Sequence, residues 1–215
     1  MKSVLNKLRN KLIIFEGSDE TGKTTVAQLL NTFLNENGVE SIFTFQPGDS
    51  NWGQLAPTIR SFCKDQRWDL HELSRFFAFQ LDKVEHVSKV IMPNRLQKKT
   101  IISDRWSYST YAYQFHGQEL AKKYEIPEET VKWFMTMPIF NIVPDYVFYF
   151  PEKIKKHTRE NDSNDLFDEA GEAFFNRVHL AYEDLAKNNQ WIRILPENSA
   201  EKTMLTILET LKNKD

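Results

Sequence analysis

The sequence is short of cysteine, of long apolar runs, of low-complexity tracts and of any excess charge. Cys63 is the only cysteine among 215 residues, which rules out an intramolecular disulfide and a cysteine-built zinc site and suits a reducing, cytoplasmic setting. No stretch approaches the ~18 consecutive apolar residues that a membrane-spanning helix needs, so no membrane partner is expected. Lysine and arginine total 28 against 30 aspartates and glutamates, a formal net charge of −2. That balance argues against a broad nucleic-acid-binding face and leaves room only for a local basic pocket. There is no internal repeat and no linker-like stretch, so residues 1–215 are read as one domain. The basic opening, residues 1–11, lacks the apolar stretch of about 7–15 residues found in secretory signals. It reads as a short solvated extension, with one or two amphipathic turns or an organelle presequence as the other readings.

What the chain does have is 40% hydrophobic and 13% aromatic residues, enough to build a sizeable core. Strand and helix patterns alternate along it. Strands are predicted at Leu12–Glu16, Ser41–Phe45, Ile101–Ile102 running into Asp104, Tyr146–Phe150 and Trp191–Leu195. Helices are predicted from Lys23 to about Asn37, Leu70 to Val90, Glu128–Met137, Glu169–Lys187 and Ala200–Lys212. Strands separated by helices imply βαβ units, hence a three-layer α/β/α architecture around a five-stranded parallel sheet. The most polar stretch, Lys153–Asp165, offers almost nothing to a core and reads as a solvated loop or mobile lid, about residues 153–168.

Gly17-Ser18-Asp19-Glu20-Thr21-Gly22-Lys23-Thr24, followed by Thr25, matches the phosphate-binding pattern G-x-x-x-x-G-K-[ST] between an apolar strand and an amphipathic helix. The glycines let the backbone curl so that N–H groups face phosphates, and the helix N-terminus adds a favourable dipole. Lys23 is the candidate for the β- and γ-phosphates, and the Thr24 hydroxyl for Mg²⁺. The motif points to ATP or GTP with Mg²⁺ but does not identify an acceptor. Asp104-Arg105-Trp106 follows the third strand, at the sheet end where ligands bind in parallel α/β proteins. Asp104 is then placed for the Mg²⁺ shell and Arg105 for a paired clamp on an anion. The alternative is a structural Asp–Arg pair capping the strand.

Four motifs in order give the chain a resemblance to the thymidylate kinase family from Leu12 to about Leu211. They are Phe15-Glu16-Gly17 through Thr25; Phe77 through Val87; Asp104-Arg105-Trp106 with Ser109-Thr110 and Ala112-Tyr113-Gln114; and Phe174–Arg177 with Tyr182. The resemblance implies a P-loop NTPase fold, ATP and Mg²⁺ as cofactors, and transfer of phosphate to dTMP as the small-molecule partner. It also implies a homodimer packed through helices, a pattern that core burial in the monomer explains as well. By the same resemblance, Phe79 stacks on the pyrimidine and Lys83 sits where the family carries an arginine for base O4. Arg105 holds the monophosphate with Arg60 as a second candidate, and Asp19 meets the sugar 3′-hydroxyl. Thr110 and Gln114 approach the base edge, while Tyr113 fills the space of a 2′-hydroxyl. Arg159, with Lys155 and Lys156 nearby, is the lid arginine for the transferring phosphate, because Glu20 occupies the position where other members carry one. Surface arginine, core aromatic and solvated lysine remain the competing readings of Arg60, Phe79 and Lys83.

The departures fall around the base. Phe45-Gln46-Pro47-Gly48-Asp49 stands where bacterial members often have Arg-Glu-Pro-Gly-Gly, and Asp165-Leu166 where the lid often has Asp-Arg. Pro47 and Gln46 lie in the region used around the pyrimidine 5-position. A missing methyl contact is worth only ~1–3 kcal/mol, so dUMP is expected as a second acceptor alongside dTMP. A broader deoxynucleotide kinase, a deoxynucleoside kinase and a non-catalytic nucleotide-binding protein are the alternatives.

Overall fold

The computed structural model describes residues 2–151, 167 and 170–214. The expected lid, with Lys155, Lys156, Arg159 and Asp165-Leu166, lies outside the described residues apart from Phe167. The sheet is built from β1 (Leu12–Gly17), β2 (Ser41–Phe45), β3 (Thr100–Asp104), β4 (Tyr146–Phe150) and β5 (Ile192–Arg193), in the order β2-β3-β1-β4-β5. Every pairing is parallel. This is the expected five-stranded sheet, although β5 is shorter than Trp191–Leu195 predicts.

Side chains alternate across a strand, and here the alternation divides the core. Ile13 and Phe15 of β1 face α2 (Lys23–Glu36) and α10 (Ala200–Asn213), packing with Leu30, Leu34, Ile207 and Leu211. Leu12 and Ile14 face the other layer, with Val87, Ile91 and Trp106. The expected amphipathic turns form and the solvated extension does not: residues Lys2–Leu8 are a helix, α1, whose Val4, Leu5 and Leu8 enter the first of these clusters. The wide spacing of its apolar residues among lysines and asparagines concealed a face that only α10 and the sheet make useful.

Three further helices complete the cavity side. The first, α3 (Ala56–Lys64), was not predicted. The second, α4 (Glu72–His86), passes through a π-helical turn at Val87–Ile91 into α5 (Met92–Leu96), so the long helix expected from Leu70 is interrupted rather than uniform. The third, α6 (Ser107–Thr110), continues as a π-helical segment over Tyr111–Gly117 and also went unpredicted. Beyond them lie α7 (Leu120–Lys123), α8 (Glu128–Thr136) and α9 (Gly171–Asn188). The carboxyl ends of β1, β2 and β3 therefore open between α2, α3, α4 and α6.

Candidate active site

The loop after β1 depends on backbone freedom at its first residue. Gly17 has φ 136°, and a Cβ there would sit 2.3 Å from the Phe150 carbonyl oxygen of β4. Gly22 caps α2 at φ 81° with no side-chain hydrogen bond, and the first turn of α2 carries no acidic residue. The N–H donors of that turn are thus left for an anion. Lys23 is buried, donating to the Ser18 carbonyl at 3.0 Å and standing 3.8 Å from Asp19. Burial, with the Arg105 charge nearby, pushes its pKa below the ordinary lysine value against the pull of Asp104, Asp19 and Glu16. A polyphosphate at this point would restore the balance in favour of the charged amine.

Arg105 adopts φ 75°, with its N–H bonded to the Phe15 carbonyl at 2.9 Å, and this turns its side chain into the cleft. One guanidinium nitrogen donates to Ser109 Oγ at 3.0 Å and Tyr182 OH at 3.1 Å; the other donates to Asp19 at 2.8 Å. The plane lies over the Tyr113 ring, 5.0 Å from its centroid. Burial opposes its charge, but Tyr113, Asp19, Tyr182 and Asp104 more than offset this and hold the pKa well above the ordinary value. Asp19 answers in kind. Its burial is outweighed by Arg105, Lys23 and Lys64, which keep the carboxyl far below the usual range.

Behind Arg105 stands Glu16, fully buried at the end of an otherwise apolar strand. It accepts from the Trp106 N–H at 2.8 Å, Ser109 Oγ at 2.8 Å and Tyr182 OH at 3.0 Å. The two hydroxyls that orient Arg105 are therefore themselves oriented by one carboxylate. Burial raises the Glu16 pKa against Arg105 and these donors. Neither the apolar pattern of β1 nor the Phe15-Glu16-Gly17 motif assigns Glu16 this positioning role. A carboxylate inside a central parallel strand must find donors, and that was the available signal.

A cavity of about 340 Å³ joins this phosphate end to a second group of residues. Asp19, Lys23, Thr24, Asp104 and Arg105 line one part; Phe79, Lys83, Thr110, Tyr113 and Gln114 line another. Pro47 and Arg60 complete the wall, Arg60 donating to the Pro47 carbonyl at 2.7 Å and lying 5.8 Å from the Phe45 ring centroid. Of the predicted nucleotide-loop residues, Gly17, Ser18, Glu20, Thr21, Gly22 and Thr25 do not line it.

Lys83 is deeply buried, donates to Thr110 Oγ1 and stands 5.8 Å from the Phe79 ring centroid. Burial lowers its pKa to about 8, with Asp82 pulling the other way. Asp82 accepts from the Gly48 N–H at 2.6 Å and Trp52 Nε1 at 3.2 Å, and burial raises its pKa to about 6. Gly48, at φ 85°, lies against Arg60, where a Cβ would come within 2.4 Å of the Arg60 Cβ. Asp82 and Gly48 thus tie the Pro47 wall to α4, a connection that no short motif reveals.

The fit for Mg²⁺ can be tested on Asp104. Its Oδ2 accepts from the Thr24 hydroxyl, while its buried Oδ1 has no partner among the described residues. Among the described residues no group of three or more His, Cys, Asp or Glu is arranged for a metal. A cation that keeps most of its water and takes one or two protein ligands together with phosphate suits this pair.

Comparison with known proteins gives the same answer. The thymidylate kinase family model matches residues 15–207. The thymidylate kinase of Chlorobium phaeobacteroides is 32% identical over 218 residues, covering 94% of this chain and 95% of the relative. That of Prochlorococcus marinus strain NATL1A is 28% identical, covering 95% of this chain and 97% of the relative. The crystal structure of thymidylate kinase from Ehrlichia chaffeensis superposes with a TM-score of 0.70 at 26% identity, over 94% of this chain and 98% of that one. With a phosphate-binding loop, a buried arginine after β3 and a match spanning nearly all of its sheet, the chain belongs to the thymidylate kinase family.

Proposed function

We propose that the protein transfers the γ-phosphoryl group of ATP to dTMP, giving ADP and dTDP. One observation carries the reading: a single cavity holds Arg105 between Lys23, reached through Asp19, and Lys83, reached through Ser109 and its neighbour Thr110. In the reaction the bond between the γ-phosphorus and its bridging oxygen breaks, and an oxygen of the acceptor phosphate forms the new bond. Little covalent work falls to the protein. Its task is to position two anions and stabilise the charge between them.

Lys23 and the uncapped start of α2 hold the ATP phosphates. Arg105 holds the acceptor phosphate, exchanging its contact with Asp19, which is then available to the sugar 3′-hydroxyl. Phe79 stacks on the base; Lys83, Thr110 and Gln114 meet its edge, and Tyr113 closes the space of a 2′-hydroxyl. Arg60 keeps its unspent donors as a second anion contact, and Arg159 is the proposed lid arginine. Thr24 and Asp104 would hold Mg²⁺, which when bound neutralises phosphate charge. Turnover of dTMP, dUMP, dCMP and dGMP with ATP tests the assignment. Preference for dTMP is expected; equal rates on dUMP would end the thymine-selective reading, and absence of any dTMP turnover would end the enzyme reading.

No helix among the described residues is long and apolar enough to cross a membrane. A cytoplasmic setting is proposed from the single thiol, Cys63, which is buried and pushed up by that burial into an unreactive range. A homodimer is proposed from exposed Phe77, Leu81, Trp133, Met137 and Phe140, where Phe77 and Trp133 both pack on Phe134. Light scattering that returned a monomer at all concentrations would reject it.

A further inference from the structure

Beneath the Gln46–Pro47 wall runs a buried chain of hydrogen bonds that none of the site roles uses. It links Asp49, Thr44, His86 and Gln46, each no more than 6% exposed, and His86 not at all. Asp49 Oδ2 accepts the Thr44 hydroxyl proton, and Asp49 Oδ1 accepts from the Asn51 N–H at 2.9 Å. A hydroxyl has one proton to give. With that proton on Asp49, Thr44 Oγ1 must accept from His86 Nε2, 2.5 Å away. The ring is neutral, because burial lowers its pKa to about 4 against the pull of Asp49. A neutral ring protonated at Nε2 has a bare Nδ1, and Gln46 Nε2 lies 2.8 Å from it as the donor. The amide's other atom, Gln46 Oε1, is buried without a partner among the described residues.

The chain of protons therefore runs in one direction and leaves Gln46 a single amide orientation. The backbone here is pinned separately: the Gln46 N–H reaches the Asp104 carbonyl at 3.0 Å, and the Gly48 N–H reaches Asp82. What His86 controls is the side chain. The charge acting on His86 is that of Asp49, across Thr44; Asp82, one turn earlier on α4, accepts from Gly48 and Trp52 through Oδ1, while its buried Oδ2 has no partner among the described residues.

We propose that His86, as its Nε2–H tautomer, is a positioning residue that fixes the amide of Gln46 in the acceptor-pocket wall and makes Gln46 a determinant of base selectivity. The proposal rests on the acceptor assignment given above. With Nε2 held by His86, Gln46 presents the acceptor Oε1, which matches the N3–H of thymine but not the bare N3 of cytosine, and a mismatched polar pair discriminates far more strongly than a lost methyl contact does.

The test begins on the unaltered protein. Long-range proton–nitrogen correlation spectra of nitrogen-15 histidine-labelled enzyme should show His86 protonated at Nε2 and bare at Nδ1 at neutral pH. An Nδ1–H tautomer or an imidazolium would overturn the proposal, whatever the enzyme phosphorylates. In kinetics, His86→Phe should raise KM for dTMP roughly tenfold, the scale of one lost buried hydrogen bond with a polar group left unpaired. The KM for ATP should stay unchanged, and discrimination of dTMP from dCMP should fall. His86→Asn, which keeps an acceptor near the Nδ1 position, should recover most of both. Equal defects in the two variants, or a loss confined to kcat, would reject a positioning role. Absence of dTMP turnover in the unaltered enzyme would instead reject the acceptor assignment while leaving the spectrum to decide the tautomer.

Discussion

The two ends of the cavity are built on different terms. At the phosphate end, the loop Gly17–Thr24 and the first turn of α2 are contiguous in sequence, and backbone geometry supplies much of the chemistry. At the base end, Phe79 and Lys83 come from α4, Thr110 from α6, Tyr113 and Gln114 from the π-helical segment, and Pro47 from the turn after β2. Charge is treated differently too. Arg105 and Asp19 strengthen one another's ionised forms, whereas burial weakens that of Lys83 and brings its pKa down to about 8. On the proposed reading, the phosphate end binds anions strongly and without specificity, and the base end selects between similar neutral rings.

Removing the arginine breaks that contrast most severely. Arg105→Ala should cost on the order of 10²–10³-fold in kcat/KM with a monophosphate acceptor, the scale found for deleting a charge-stabilising donor in an active site. Calorimetry separates the ends: affinity for dTMP should collapse while affinity for thymidine changes by no more than a few-fold. Equal losses on both ligands would mean that Arg105 supports the pocket rather than the phosphate.

A smaller effect, on stability, is expected from Gly17→Ala. The added Cβ would press on the Phe150 carbonyl at 2.3 Å in a backbone conformation of φ 136°. Overpacking of this kind costs about 1–3 kcal/mol, and the backbone strain adds a comparable amount. Denaturant unfolding should show the loss in unliganded protein. An unchanged midpoint would show that β4 can move away and that the loop is less dependent on its backbone than the comparison holds.

The same contrast explains what could be read in advance. The phosphate loop was legible because spacing alone dictates its shape, and α2 ends within a residue of where Gly38 and the apolar pattern put it. The sheet was legible because each strand carries its own apolar run. The base end was legible only through family likeness, since no local pattern brings Lys83 to Thr110 across 27 positions. Glu16, Asp82 and His86 were hidden for a related reason. Each is a buried polar group whose meaning lies in donors and acceptors from other elements, and periodicity registers such residues only as interruptions. The packed face of α1 and the amphipathic α3 were missed because each is short and acquires its core contacts only from neighbouring elements.

The finest distinction between the two ends is in their response to pH. Lys83 is brought down from 10.5 to about 8, so above that value the free enzyme loses its buried cation. As kcat/KM reports the free enzyme's ionisations, its value for dTMP should decline through an alkaline limb near there. Lys83→Arg, whose guanidinium stays protonated, should flatten that limb. Stability moves the other way. Because the folded-state value lies below the unfolded one, the unfolded chain holds more protons between about 8 and 10.5, and the contribution of Lys83 to stability rises with pH across that window. Asp82→Asn then provides the discriminating case. Asparagine keeps an acceptor for the Gly48 N–H and the Trp52 indole, but it removes the carboxylate that favours the charged lysine. The alkaline limb should therefore move to lower pH, measured with dTMP at saturating ATP. A limb that stays in place or moves upward would mean that another group titrates there, and that the base end is read by a permanently charged lysine much as the phosphate end is read by Arg105.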